Sequence, residues 1–135
     1  MIYESRVSFT KIVKGNDKVM KEKYMVAEAA SFGDAETQTY EFCDGETDLD
    51  VIDVKRSKVR EIINTRTDEN DVIFVADIAD TQINEDGEEV ELIYKWALFA
   101  NDFDQAYKRV NEYLKQGYNM QAVGMKKTKF VDVIS

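Results

Sequence analysis

Along residues 2 to 13, Tyr3, Val7, Phe9 and Val13 alternate with Glu4, Arg6, Ser8 and Thr10, the two-residue period of a half-buried strand. Lys14-Gly15-Asn16-Asp17 supplies a turn, and residues 18 to 29 return as a second strand. Ser31 then stands where a helix N-cap belongs, with Asp34 placed as in a weak capping box. Phe32, Ala35, Thr39 and Phe42 follow at helical spacing as a narrow apolar face, and Gly45 ends the helix. A third strand is predicted from about Leu49 to Ile63, apolar at Val51, Ile52 and Val54 and basic in its later half. After Thr67-Asp68-Glu69-Asn70-Asp71 the order recurs, with a strand from Val72 to Ile83, the hairpin signal Asn84-Glu85-Asp86-Gly87 and a partner strand from Val90 to Ala100. Asp102 caps a clearer helix whose stripe is Phe103, Ala106, Val110, Tyr113 and Leu114, Gly117 sits at its end, and Met120 to Ile134 is the last strand.

The recurrence has a fixed, ungapped offset of 71 residues. Over the 64 overlapping positions it yields eleven identities, among them Phe32/Phe103, Ala35/Ala106, Lys55/Lys126 and Lys58/Lys129, where composition alone would yield roughly four. Conservative pairs such as Tyr3/Phe74, Val7/Ile78, Phe42/Tyr113 and Ile62/Val133 keep the same register. The expected fold is α+β, an internally duplicated β-β-α-β unit forming an antiparallel sheet with the two helices packed on one face. Separate halves of this size would be marginal, so a single domain spanning 1–135 with repeats 1–64 and 72–135 is expected. The absence of proline agrees with long uninterrupted strands.

A hydrophobic fraction of 44% belongs to a globular protein, and no apolar run approaches the roughly 20 residues that span a bilayer. With no charged-then-apolar leader before Ile2, a cytoplasmic location and no membrane association are expected. One cysteine, Cys43, cannot form an intramolecular disulfide, and the lack of histidine removes the usual zinc nitrogen ligand and the commonest general base. Asp44-Gly45-Glu46-Thr47-Asp48-Leu49-Asp50 places acids at alternate positions like the start of a calcium loop. Leu49 stands where that loop needs glycine and Lys55 where it needs glutamate, so a solvated acidic loop is the better reading. Nothing near Cys43 would lower its pKa. No phosphate-cradling glycine loop, nucleophile elbow or metal motif is present, and the expectation is a non-enzymatic protein without a cofactor.

The net charge of −9 is unevenly placed. Acids gather in Asp44 to Asp53, Asp68 to Asp71 and Asn84 to Glu89, all read as loops, whereas two basic runs contain no acid. These runs, Lys55, Arg56, Lys58 and Arg60 in the third strand and Lys126, Lys127 and Lys129 in the last, are the candidate binding residues. On equivalent strands they would form one continuous or two symmetric positive stripes. Such stripes follow a phosphate backbone while aromatic side chains stack bases. Tyr3, Tyr24, Tyr94, Trp96, Tyr118 and Phe130 are candidate platforms, although Trp96 and Tyr3 face repeat mates, Met25 and Phe74, that look like core. The competing reading is that the basic residues only solvate strand ends and discourage edge pairing.

The stretch Tyr24-Met25-Val26-Ala27-Glu28-Ala29-Ala30-Ser31-Phe32-Gly33-Asp34-Ala35-Glu36, followed by Val54-Lys55-Arg56-Ser57-Lys58-Val59-Arg60-Glu61-Ile62, resembles a domain-of-unknown-function family of small proteins from Bacteroides-type bacteria and their phages. The opening Tyr3-Glu4-Ser5-Arg6-Val7 and the closing Val131-Asp132-Val133 extend the resemblance over nearly the whole chain. It implies a phage or mobile-element setting and transfers no functional residue. Three functions follow. The first, and preferred, is binding of single-stranded nucleic acid by the basic strands. The second is a protein-interaction or inhibitor module whose acidic loops address a basic partner, as a nucleic-acid mimic would. The third is a structural subunit that forms a homo-oligomer through edge pairing.

Overall fold

The computed structural model describes residues 1–135, which divide into two compact units, Met1–Ser57 with Lys129–Ser135 and Lys58–Thr128. The fold is mixed α+β, with eight strands in two sheets and helices packed against them. In the first unit β1 (Tyr3–Val13), β2 (Asn16–Val26), β3 (Thr47–Arg56) and β8 (Phe130–Ile134) form a sheet of order β3-β1-β2-β8, covered by α1 (Phe32–Phe42). In the second, β4 (Val59–Ile62), β5 (Val72–Ile83), β6 (Glu89–Ala100) and β7 (Gln121–Lys127) form a sheet of order β4-β6-β5-β7, with α2 (Phe103–Leu114) against it.

The expected third and last strands are therefore two strands each, and each run changes sheet in its middle. Ser57 N donates to Ile2 O at 3.0 Å and Thr128 N to Ile73 O at 3.0 Å, after which the chain leaves the sheet it has just extended. The following strand joins the other unit. β4 pairs parallel with β6, and β8 pairs parallel with β2, while all other pairings are antiparallel. One antiparallel sheet is thus replaced by two mixed sheets that exchange an edge strand. An edge strand entering from another part of the chain is free to run parallel, because no tight hairpin constrains its direction.

The hairpins form as their turns dictate. Lys14 and Gly15, at φ 52 and 79, make a two-residue turn so tight that Asn16 and Asp17 already belong to β2. In the second hairpin Asn84 closes a longer loop, its Oδ1 accepting from Asp86 N and Glu88 N at 3.0 and 2.9 Å. This difference in turn length changes the register. Lys23, Tyr24 and Met25 face Phe130, Asp132 and Val133, and the matching places opposite β4 are held by Lys95, Trp96 and Ala97. The second strand of each hairpin therefore corresponds at an offset of 72, and Trp96 matches Tyr24 rather than Met25.

Elsewhere the offset of 71 holds. Tyr3 meets Phe32 edge-to-face with ring centroids 5.1 Å apart, and Phe74 meets Phe103 at 5.1 Å in the same way. Tyr24 against Phe42 and Trp96 against Tyr113 repeat the match at the far ends of the helices. Both helix starts use the same device. Ser31 Oγ accepts from Asp34 N at 3.0 Å while Asp34 Oδ2 accepts from Ala30 N; Asp102 Oδ1 accepts from Gln105 N at 2.8 Å while Gln105 Oε1 accepts from Asn101 N. Replacing Asp102 by alanine is expected to lower stability by about 1 kcal/mol in urea denaturation, the usual worth of an N-cap.

The two cores differ where a buried polar pair has been traded for apolar groups. In the first unit Thr39 Oγ1 donates to Ala35 O at 2.8 Å and lies 2.9 Å from Ser5 Oγ, both side chains fully buried. In the second unit Val110 and Ala76 hold the matching places in a core with Phe74, Ile78, Trp96 and Leu98. Changing both partners together leaves no buried hydroxyl unsatisfied.

Candidate nucleic-acid interface

Side chains of β1 alternate strictly, with Tyr3, Ser5, Val7 and Phe9 buried toward the helix side. The same pleat turns Glu4 and Arg6 to the other face. Pairing register carries that face across the sheet: Arg6 lies between Lys23 of β2 and Asp53 of β3, Ser8 opposite Lys21, and Glu4 opposite Lys55. Together with Lys129 and Val131 at the β8 edge, these strands line a shallow groove of about 350 Å³ in the first unit. Arg6, Lys21, Lys23, Lys55 and Lys129 supply five cations against the carboxylates of Glu22 and Asp53. With strands about 4.8 Å apart, four of them span roughly 14 Å.

The groove's charges are little neutralised by tight pairing. Lys55 Nζ stands 3.9 Å from Glu4 Oε1 with its side chain 62% exposed, so the pair contributes little. Glu4 is instead held by Ser57 Oγ, which donates to its Oε2 at 2.8 Å. Glu22 is turned to Tyr24, whose hydroxyl donates to Glu22 Oε2 at 2.5 Å. Burial and this bond push the Tyr24 phenol well above its ordinary value. Lys23 Nζ rests 4.6 Å from the Phe130 ring centroid, an arrangement that positions the ammonium without neutralising it.

The sequence-predicted residues are only partly brought together. Lys55 and Lys129, one from each basic run, share the groove. Arg56 belongs to the same unit but sits opposite Tyr3 with its guanidinium 5.8 Å from the Phe32 ring, on the helix side. The second unit holds the others: Lys58 precedes β4, Arg60 of β4 lies 4.5 Å from the Tyr94 ring, and Lys126 and Lys127 lie on β7. Since β4 and β7 are opposite edges of that sheet, Arg60 is not beside Lys126 and Lys127. The strand exchange cuts each run in two. Arg6, Lys21 and Lys23 were missed because none has a basic residue directly beside it in sequence; their only mark is that they alternate on one face of the hairpin.

Of the proposed platforms, Tyr3, Tyr24 and Trp96 are buried, Tyr94 and Phe130 lie beneath cations, and exposed Tyr118 stacks on Tyr113. The acidic segments also separate. Asp48, Asp50 and Asp53 are on β3 rather than in a loop, and the Asp71 side chain is fully buried. Cys43 lies buried beside Tyr24, and burial pushes its thiol pKa up, the opposite of an activated nucleophile.

No helix is long and apolar enough to cross a membrane. No curated protein and no solved structure matches the chain. A family model does match, over residues 1–135, and the chain belongs to the family described as Domain of unknown function (DUF4494).

Proposed function

We propose that the chain is an internally duplicated, non-enzymatic protein of a phage or mobile element that holds single-stranded nucleic acid in the groove of its first unit. The matched aromatic pairs and helix caps support the duplication, and the phage setting rests on the family resemblance. One observation carries the binding reading: five cations, from β1, β2, β3 and the residue just before β8, converge on a single groove in a chain of net charge −9. Such local concentration against the overall charge is what a phosphate backbone requires. A volume of about 350 Å³ takes a small ligand or a short piece of one strand. With the large aromatics buried, phosphate contact dominates over base stacking, and little sequence preference is expected.

The test is fluorescence anisotropy of a labelled single-stranded oligonucleotide. If the five groove cations each neutralise one phosphate, affinity falls roughly a hundredfold between about 50 and about 200 mM salt. Lys23→Glu/Lys55→Glu/Lys129→Glu is expected to abolish binding, while Lys126→Glu/Lys127→Glu leaves it within about threefold. Absence of binding by wild type at low salt sinks the reading, as does a loss confined to the β7 variant.

A further inference from the structure

The pairing registers give each place in the first unit's groove a counterpart in the second unit. Arg6 lies between Lys23 and Asp53, as Asp77 lies between Lys95 and Gly124. Glu4 faces Lys55 as Val75 faces Lys126, and Ser8 faces Lys21 as Ala79 faces Ile93. Lys129 stands just before β8 and Lys58 just before β4. Three groove lysines, Lys23, Lys55 and Lys129, therefore have lysine counterparts in Lys95, Lys126 and Lys58. The other two cations do not: a carboxylate replaces Arg6 at the centre, and apolar Ile93 replaces Lys21.

Two observations show the second unit built around that carboxylate. Lys95 Nζ donates to Asp77 Oδ1 at 2.8 Å, where the first unit sets two cations, Lys23 and Arg6, side by side. The other oxygen, Oδ2, leans over Gly124, where the Cβ of any other residue would lie 3.0 Å from it. Gly124 has no positive φ that would call for glycine, so its missing side chain serves this clearance. The Asp77–Lys95 side chains are 40% and 42% exposed, and an ion pair so open adds little to stability. Its consequence is electrostatic. A carboxylate set among lysines neutralises one of them and repels a phosphate oxygen from the rest.

We propose that Asp77 closes the second unit's counterpart of the groove to the phosphate backbone, so that each chain holds one strand at one site. The inference rests on the nucleic-acid reading of the first groove and adds the residue that restricts binding to it. Asp77 acts by exclusion, not by contact with the ligand.

Isothermal titration at low salt, with a single-stranded oligonucleotide of about four nucleotides, the low end of single-strand site sizes, counts the sites. Wild type should take one oligonucleotide per chain. Asp77→Arg/Ile93→Lys, which copies Arg6 and Lys21 onto the second unit, should take two. Adding Lys126→Glu to that variant should return it to one. A variant that keeps wild-type circular dichroism and still takes one oligonucleotide overturns the inference while leaving the first groove's function intact. Should the arginine variant lose its circular dichroism, Asp77→Asn, which keeps the shape and frees Lys95, decides in the same way. Two sites in wild type, or a second oligonucleotide that survives Lys126→Glu, overturn it equally. A wild type that binds none overturns both readings.

Discussion

Deleting residues 129–135 is expected to abolish the first unit's sheet while leaving the second unit's intact, although β2, the strand directly deprived, lies near the opposite end of the chain. β8 is the parallel partner of β2, and Ile134 is buried with Tyr3, Val7, Phe9 and Val26. Losing the Ile134 side chain alone costs about 2–5 kcal/mol. The deletion also leaves Ala27 N without its acceptor, Ile134 O at 2.9 Å, a further cost of about 1–3 kcal/mol. Against the roughly 5–15 kcal/mol that holds a typical domain together, that is enough to unfold a unit. Hydrogen exchange should show protection lost from Tyr24 to Ala27 and kept from Phe74 to Ala79. Ile134→Ala should weaken the same amides without unfolding them. Retained protection at β2 after the deletion would disprove the strand exchange.

Asp71→Ala should destabilise the second unit by about 3–5 kcal/mol, the usual cost of removing one partner from a buried charged cluster. The Asp71 side chain is 0% exposed. Its Oδ2 accepts from Thr67 N at 3.0 Å, Thr67 Oγ1 at 3.2 Å and Asp68 N at 3.2 Å, and faces Arg109 Nη1 at 3.6 Å. Arg109 also donates to Phe99 O at 2.6 Å, and Asn64 bonds both backbone groups of Phe99, so the segment before β5 is tied to β6 and α2.

Burial alone would raise the Asp71 pKa, but the Thr67 and Asp68 hydrogen bonds and the Arg109 charge outweigh it and hold the carboxyl below its usual range. A carboxylate with a depressed folded pKa stabilises above its unfolded value, near 3.9, and loses that contribution as pH falls through the folded value. Asp71→Asn, which keeps the shape without the charge, should therefore lie well below wild type at pH 7. The gap should close as pH drops below about 4. Urea denaturation of both proteins across that window gives the comparison, and a gap unchanged at acid pH would show that the charge contributes nothing.

The helices and hairpins were legible because their signals are local. Ser31 and Asp102 announced the helix starts, Gly45 and Gly117 adopt the positive φ expected at the helix ends, and Lys14-Gly15 made its turn. The strand exchange was not, because alternation runs on through Ser57 and Thr128 without a proline or glycine to mark the departure. Only the hydroxyls at those matched places hinted at it: Ser57 Oγ bonds Glu4 and Thr128 Oγ1 bonds Ile73 O at 2.7 Å. The register error at Trp96 has a similar cause. A loop can absorb one residue with no change in the pattern of the strands it joins, so an ungapped comparison stays convincing while one strand slips.

The candidate groove shows the same division. Basic runs adjacent in sequence looked like a surface, yet successive strand residues point to opposite faces, which parts Arg56 from Lys55. Cations scattered over β1, β2, β3 and the residue before β8 became neighbours only through pairing register. The sequence by itself determined the element types, their order and both helix caps, since these depend on side chains within a few residues of one another. Tertiary structure alone decided which sheet each short basic-flanked strand joins and which lysines share a groove. Strand pairing couples residues more than a hundred positions apart, such as Tyr24 and Asp132, and the choice is made by the whole buried surface rather than by any local signal.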